Sequence, residues 1–258
     1  MVVSQMCRHL TSNRECRQLD RTEDLFEVPS IVLIVVSLEL VCDKRDFEVP
    51  LKKQIQAVLA SDYRGPKAAY GEVDILKALF AIGKSETNLG RTRLGQLTGL
   101  GQGEVRTLIA RLKNSGLIVV DAKGASLTEK GKKEFVGMSR DLPYSSQVEA
   151  KSLGLGKFAW SIIVRDSESK IRSGIEQRDA SIRVGAGGAL TVIYSSGKFT
   201  VPSVDKKSAN CEANGPSEPW TSIRSEGKPK NGDVVIVSWA DSVLLAEAGA
   251  LSAALTIL

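Results

Sequence analysis

Residues 90–118, GRTRLGQLTGLGQGEVRTLIARLKNSGLI, and residues 119–133, VVDAKGASLTEKGKK, decide the fold of the first half of the chain. They predict a short helix, a tight turn over Gly99–Gly103, and a longer helix that ends at Gly116. A hairpin turned through Lys123-Gly124 and a basic helix follow. Three elements of this stretch are therefore helices and two are short strands.

The longer of these helices is amphipathic. Four apolar residues recur on one face at helical spacing: Val105, Leu108, Ile109 and Leu112. The other face is small and basic, which suits the groove of a DNA duplex, and carries Arg106, Thr107, Ala110, Arg111 and Asn114. An apolar helix precedes the stretch, so residues 66–142 predict a winged helix-turn-helix. We place the domain at residues 49–142, because residues 49–65 predict a further amphipathic helix.

The charge of the chain is concentrated in the same segment. Residues 66–142 hold 13 Lys and Arg against 8 Asp and Glu, and the remaining chain holds 22 of each. The whole net charge of +5 therefore falls in one module, which favours a polyanionic partner. Aromatic residues make up only 5% of the chain, which favours duplex DNA over single strands. The predicted DNA contacts are Arg91, Arg93, Gln102, Arg106, Thr107, Arg111, Asn114 and Lys123.

The residues that catalysis and metal binding use are scarce. The only histidine is His9, and the cysteines Cys7, Cys16, Cys42 and Cys211 lack the paired spacing of a zinc site. We therefore expect no catalytic residues, no metal and no cofactor. The apolar run Ile31–Val41 is shorter than the roughly 20 residues of a membrane span, so we expect a cytoplasmic protein without a membrane partner.

The rest of the chain divides into three parts. Residues 1–48 predict a flexible extension, and a start at a later codon such as that of Val49 would remove them from the native protein. Residues 143–156 predict a linker. Residues 157–258 predict a small α/β sandwich with the order β-α-β-β-β-α, in which two helices cover one antiparallel or mixed sheet. The expected fold class is therefore α+β.

Four segments carry a resemblance to a known group: RGPKAAYGEVDILKALFAIG from residue 64, GLGQGEVRTLIARLKNSGLI from residue 99, SLTEKGKK from residue 126, and SGIEQRDASIRVGAGGALTVIYSSGKFTVP from residue 173. They resemble archaeal winged-helix proteins of unknown function that are usually described as transcriptional regulators. The resemblance covers about residues 50–258. It implies a DNA-binding module, a family-specific domain with the GIEQRDA motif, and an archaeal cytoplasm. It brings no catalytic residues.

A helical wheel places one charged residue of the second domain among apolar residues. Arg178 falls in the sector of Ile171, Ile175 and Ile182, with Asp179 at the sector's edge, in a helix predicted over Lys170–Gly185. A guanidinium that faces a sheet needs a partner. It either pairs internally with a nearby Asp, or it binds a small anionic ligand such as a carboxylate or phosphate. We keep both interpretations and name Arg178 and Asp179 as candidate ligand-binding residues.

These observations favour a DNA-binding transcription regulator, expected to be a homodimer, whose second domain senses a ligand or self-associates. Two other functions stay open. The chain could be an adaptor that uses its winged helix for protein contact, or an enzyme with an appended winged helix.

Overall fold

The structure is a computed structural model that describes residues 51–60, 70–149, 156–202, 209–211 and 218–258. It is a mixed α+β fold with two antiparallel sheets, which confirms the predicted fold class. The predictions for residues 1–48 and for the later part of the linker lie outside the described residues.

Five helices and a hairpin make up the first part of the described chain, which we call the helical module. In chain order it contains α1 (Leu51–Ala60), α2 (Glu72–Lys84), α3 (Arg91–Thr98), α4 (Gln102–Asn114), β1 (Ile118–Asp121), β2 (Gly124–Leu127) and α5 (Glu129–Asp141). The order is the one that the sequence predicts for residues 66–142. The helix predicted over residues 49–65 is described only as α1.

Local chemistry sets the helix boundaries of the module. Gly99 ends α3 in a left-handed conformation with φ of 81°, and its amide donates to the Gly95 carbonyl at 2.8 Å. The Gly101 amide then donates to the Glu104 carboxylate at 2.9 Å, which holds the start of α4. At α5 the Thr128 hydroxyl accepts a hydrogen bond from the Gly131 amide at 3.0 Å. The predicted turn and the predicted cap are both present.

The second part, which we call the sheet domain, is built on one six-stranded sheet. Its elements are β3 (Tyr144–Val148), β4 (Phe158–Val164), α6 (Ile175–Arg183), β5 (Gly188–Ser195), β6 (Lys198–Val201), β7 (Ala209–Asn210), α7 (Trp220–Ser222), β8 (Asp233–Ala240) and α8 (Val243–Ala254). The strand order is β3-β4-β8-β5-β6-β7, and every neighbouring pair is antiparallel.

The two faces of this sheet have different covers. Helices α6 and α8 lie on one face, and α8 contacts Ile162, Val164 and Ile236 within a common apolar core. On the other face α7 and a π-helical turn (Ile223–Gly227) cover a second core around the fully buried Trp220. The prediction of two helices on one sheet is therefore correct for one face and incomplete for the other.

Two predicted loops contain regular structure. Residues 144–148, predicted as the start of a linker, form the edge strand β3, because their backbone pairs with β4 from Tyr144 opposite Ile163 to Val148 opposite Ala159. Residues 206–231, predicted as one long loop, contain β7 and α7. Serines in the first segment, and serine, glycine and proline in the second, make these stretches resemble loops although each contains buried apolar residues such as Val148 and Trp220.

The helix predicted over Lys170–Gly185 is shorter. A 3₁₀ turn occupies Glu168–Lys170, and α6 begins only after Gly174, whose φ of 77° interrupts the helical path. The final helix, predicted over Val243–Leu258, ends at Ala254. Ile171, which the longer predicted helix would include, therefore lies before α6.

Helix α8 joins the two parts of the described chain. One apolar core contains α2 residues such as Leu76 and Leu79 together with Ala250 and Leu251 of α8. At the same junction Lys77, only 4% exposed, pairs with Glu247 at 2.9 Å. The helical module and the sheet domain therefore share a core across α2 and α8.

Because α8 packs closely on the sheet, we expect a single methyl group added at this contact to lower the stability of the fold. A Cβ at Gly249 would overlap Ser238 Oγ, Ser181 Oγ and Ala186 Cβ, all of which are buried. We expect Gly249→Ala to lower the free energy of unfolding by about 1–3 kcal/mol through overpacking. Urea denaturation measures this change.

The matched control is Gly103→Ala on α4, where a Cβ meets nothing within 4 Å. Removing a helical glycine there should raise stability by about 0.5–1 kcal/mol. Equal stability changes for the two variants would contradict the packing of α8.

Candidate nucleic-acid interface

The exposed face of α4 carries three of the eight predicted DNA contacts. Gln102, Arg106 and Asn114 are exposed, whereas Val105 and Leu108 on the opposite face are fully buried. Thr107 is partly buried, and its hydroxyl donates to the Glu104 carbonyl at 2.8 Å. The side chains of Gln102, Arg106 and Asn114 are thus accessible, and Thr107 lies at the edge of their surface.

Arg111 was predicted to face DNA, and this prediction is wrong. The residue is 8% exposed, and its guanidinium donates to the Leu59 carbonyl of α1 at 2.6 Å. The guanidinium carbon also lies 5.7 Å from the centroid of the Tyr70 ring. Arg111 therefore anchors α4 to the segment before α2. It is about 140° around the helix from Arg106, so a stricter wheel would have separated the two.

Lys113 is the residue that the sequence prediction missed on this face. It is exposed and lies seven residues after Arg106, which is about two helical turns and about 10 Å along the same stripe of α4. The i, i+7 spacing is the signal that would have found it. Arg106 and Lys113 together place two positive charges along one exposed helix face.

The hairpin that follows α4 is extended by a third strand position. Leu89, between α2 and α3, exchanges backbone hydrogen bonds with Ala125 at 2.8 and 2.9 Å. Gly124 permits this approach, because a Cβ there would lie 2.6 Å from the Leu89 carbonyl carbon. Its φ of 134° is also a conformation that residues other than glycine rarely adopt. The hairpin is thus held against the residues that precede α3.

The tip of the hairpin is a short turn that presents Lys123 to solvent. The Asp121 carboxylate accepts hydrogen bonds from the amides of Lys123 at 2.8 Å and Gly124 at 3.0 Å. The Asn88 side chain donates to the same carboxylate at 3.0 Å. The Lys123 amide first, and then Asn88, hold the pKa of Asp121 below its ordinary value. Lys123 is exposed at a fixed position in this turn.

Arg91 and Arg93 lie on the first turn of α3, and both are exposed. Arg93 donates to Gln96 at 3.3 Å and lines a cleft between the helical module and the sheet domain. Arg93 therefore also lines a cleft, a site that the sequence analysis does not predict.

The wheel argument for Arg178 is wrong, because α6 buries the opposite face. The helix buries Gln177, Ala180 and Ser181, and its exposed side carries Ile175 and Ile182. Arg178 is on this side, its side chain 52% exposed, and it pairs with Asp179 at 2.9 Å. The pairing with Asp179 is one of the interpretations offered above, but it is a surface pair. It gives no reason to place an anion-binding pocket at Arg178 or Asp179.

The described residues contain neither a candidate metal site nor a candidate membrane span. No group of three or more His, Cys, Asp or Glu side chains is arranged to hold a metal ion there, and His9 lies outside them. No described helix has the length and apolar composition needed to cross a bilayer. The apolar run at residues 31–41 also lies outside the described part of the chain.

Comparison with known proteins places similarity mainly in the sheet domain. Residues 155–257 match the family model of a domain of unknown function, DUF4443. A solved structure, described as a hypothetical protein from Pyrococcus horikoshii OT3, is similar with a TM-score of 0.60 and 25% identity, and the match covers 73% of this chain and 92% of that chain. That share exceeds the matched domain, so the similarity extends into the helical module. No curated protein matches the chain.

We expect substitution of the two arginines of α4 to have different effects on the free energy of unfolding. We expect Arg111→Met to lower the free energy of unfolding by about 1–3 kcal/mol, because the Leu59 carbonyl loses its buried charged donor. Arg106→Met removes an exposed charge, and we expect a change within about 0.5 kcal/mol. Urea denaturation of both variants checks this, and an Arg111→Met protein as stable as Arg106→Met would show that Arg111 is not an anchor.

Proposed function

We propose that the chain is a DNA-binding transcription regulator and that its helical module is a winged helix-turn-helix domain. The order of the elements supports this, since it supplies a helix pair with a tight turn and a three-stranded wing. In chain order the elements are α2, the strand position at Leu89, α3, α4 and the β1–β2 hairpin. In this proposal α4 enters the major groove and the hairpin tip approaches the backbone or the minor groove. The sheet domain is the ligand-sensing or self-association domain.

One observation supports the proposal most strongly: α3, α4 and the hairpin tip each carry exposed basic residues. Arg91, Arg106, Lys113 and Lys123 are all exposed, and they come from α3, α4 and the hairpin tip. Residues 66–142 also carry the whole net charge of the chain. A duplex offers about one phosphate charge per 1.7 Å of its axis, so separated cations on one surface match it well.

The other parts of the proposal stay predictions. A regulator of this kind would act in the cytoplasm as a homodimer, because dimers read paired half-sites. We propose a binding protein rather than an enzyme. The archaeal source of the similar solved structure agrees with the archaeal resemblance of the sequence.

A gel shift with duplex DNA from upstream of the chain's own gene tests the proposal. We expect a specific shift whose affinity falls as salt rises, with a log–log slope of roughly −0.9 for each phosphate contact. Absence of any shift at low salt, or binding without salt dependence, would contradict it.

Substitution of two exposed cations should separate base contacts from backbone contacts. We expect Arg106→Ala to cost about 1–3 kcal/mol of binding free energy and to relax sequence preference, because its guanidinium faces the base edges. We expect Lys123→Ala to weaken binding to all sequences and to flatten the salt slope by about one unit. Titrations at matched salt measure both changes.

The control is Lys198→Ala, an exposed lysine at the β5–β6 turn of the sheet domain. Wild-type affinity in both the Arg106 and Lys123 variants would mean that this face does not bind DNA.

A second function, protein contact through the hairpin, is favoured by a specific observation. Val119 and Val120 of β1 are 49% and 38% exposed. Successive strand residues point to opposite faces, so each valine exposes an apolar side chain on one face of the hairpin, which suits an apolar partner better than a phosphate backbone. In that case the gel shift fails, whereas Val120→Lys abolishes partner binding. If DNA is the partner, an added lysine at this position leaves the shift intact.

A further inference from the structure

The cleft that contains Arg93 lies where the helical module meets the sheet domain. Its volume is about 510 Å³, within the range of about 300–1,000 Å³ typical of small-molecule sites. Its apolar lining comes from both parts of the chain: Phe80, Leu89, Leu97, Trp160, Leu244 and Leu251. The site is thus large enough for a small organic molecule and is lined by surfaces that can bury an apolar body.

The charges of the cleft do not balance. Lys77, Lys84, Arg93 and Glu247 all line it. Glu247 is already paired with Lys77 at 2.9 Å, and Lys77 also donates to the Leu244 carbonyl at 3.5 Å. Among the described residues, Lys84 and Arg93 have no carboxylate within 4 Å, which leaves two positive charges in excess.

Lys84 is placed to meet an anion at the rim of this cleft. Its ammonium lies 5.2 Å from the centroid of the Phe80 ring, and the residue as a whole is exposed. Desolvation lowers the pKa of Lys84, and the charge of Glu247 opposes this only in part, so a bound carboxylate would offset the remaining cost. The Trp160 indole, which donates to Ser145 Oγ at 2.8 Å, forms part of the wall.

Leu244 connects the cleft to the turn that positions α4. It lines the cleft, and a Cβ on Gly99 would lie 3.4 Å from its side chain. Arg93 links the same cleft to α3. A ligand between these residues therefore contacts the elements that orient the proposed recognition helix.

We propose that the cleft binds a small carboxylate with an apolar body, such as an aromatic or branched-chain acid, and that its occupancy changes DNA affinity. The carboxylate meets Lys84 and Arg93, and the apolar body lies against Phe80 and Trp160. The effect on DNA affinity rests on the proposed function, whereas the binding of a carboxylate in the cleft does not.

Titration of the full chain by calorimetry, and by intrinsic fluorescence to which Trp160 contributes together with Trp220 and Trp239, tests the binding site. The probes are benzoate, phenylacetate, phenylpyruvate and 4-methyl-2-oxopentanoate, with 2-phenylethanol as an uncharged match and inorganic phosphate as an anion without an apolar body. We expect at least one carboxylate to bind, and the alcohol and phosphate to bind at least about tenfold more weakly.

We expect Lys84→Gln to weaken carboxylate binding about tenfold and the remote Lys198→Gln to leave it unchanged. Urea denaturation of Lys84→Gln verifies that the variant is folded. No carboxylate binding by the wild type, equal binding of phosphate, or wild-type binding by a folded Lys84→Gln would overturn the site.

Gel shifts with and without saturating carboxylate then test the regulatory half. We expect DNA affinity to change at least about fivefold, in either direction. Unchanged DNA affinity would overturn the regulatory half alone. A wild-type protein that binds no DNA would overturn the proposed function, while the ligand titration would still decide the site.

Discussion

Helix α8 has to pack on the sheet and on α2 at the same time, and this double contact determines how the described chain is assembled. Small residues make it feasible, since Ala246, Gly249 and Ala250 are buried where α8 approaches its neighbours. The Lys77–Glu247 pair lies at the same junction, and removal of either charge would leave the other in a largely dehydrated position. The helical module is consequently packed against the sheet domain.

This assembly gives the surfaces of the module distinct roles. The exposed side of α4, with Arg106 and Lys113, is open to a large partner, whereas Arg111 on another side fixes α4 to α1 through the Leu59 carbonyl. The cleft lies between the two parts, and Leu244 lines the cleft and lies beside Gly99 in the turn before α4. A shared core offers a physical route by which a ligand in the cleft could bias the orientation of α4, because packed cores transmit small displacements.

Local signals in the sequence were sufficient for much of the fold, and long-range packing accounts for the differences. Glycine turns and the Thr128 cap depend on neighbouring residues, so the helices and the hairpin of the module could be predicted. Strand β3 could not, because only its pairing with β4 makes a strand of a serine-containing segment. A wheel can separate Arg111 from Arg106, but it cannot show that the Leu59 carbonyl binds Arg111. For Arg178 the wheel cannot show that α6 turns its other face to the sheet. The cleft depends on contact between distant elements, which no local pattern encodes.

Hydrogen–deuterium exchange of the full chain, with and without a saturating DNA duplex, shows which part of the chain binds DNA. We expect DNA to slow exchange in α3, α4 and the β1–β2 hairpin, and to leave the β5–β6 hairpin of the sheet domain unchanged. Protection confined to the sheet domain, or unchanged exchange in α4 under conditions where DNA is bound, would contradict the assignment of the helical module as the DNA-binding part of the chain.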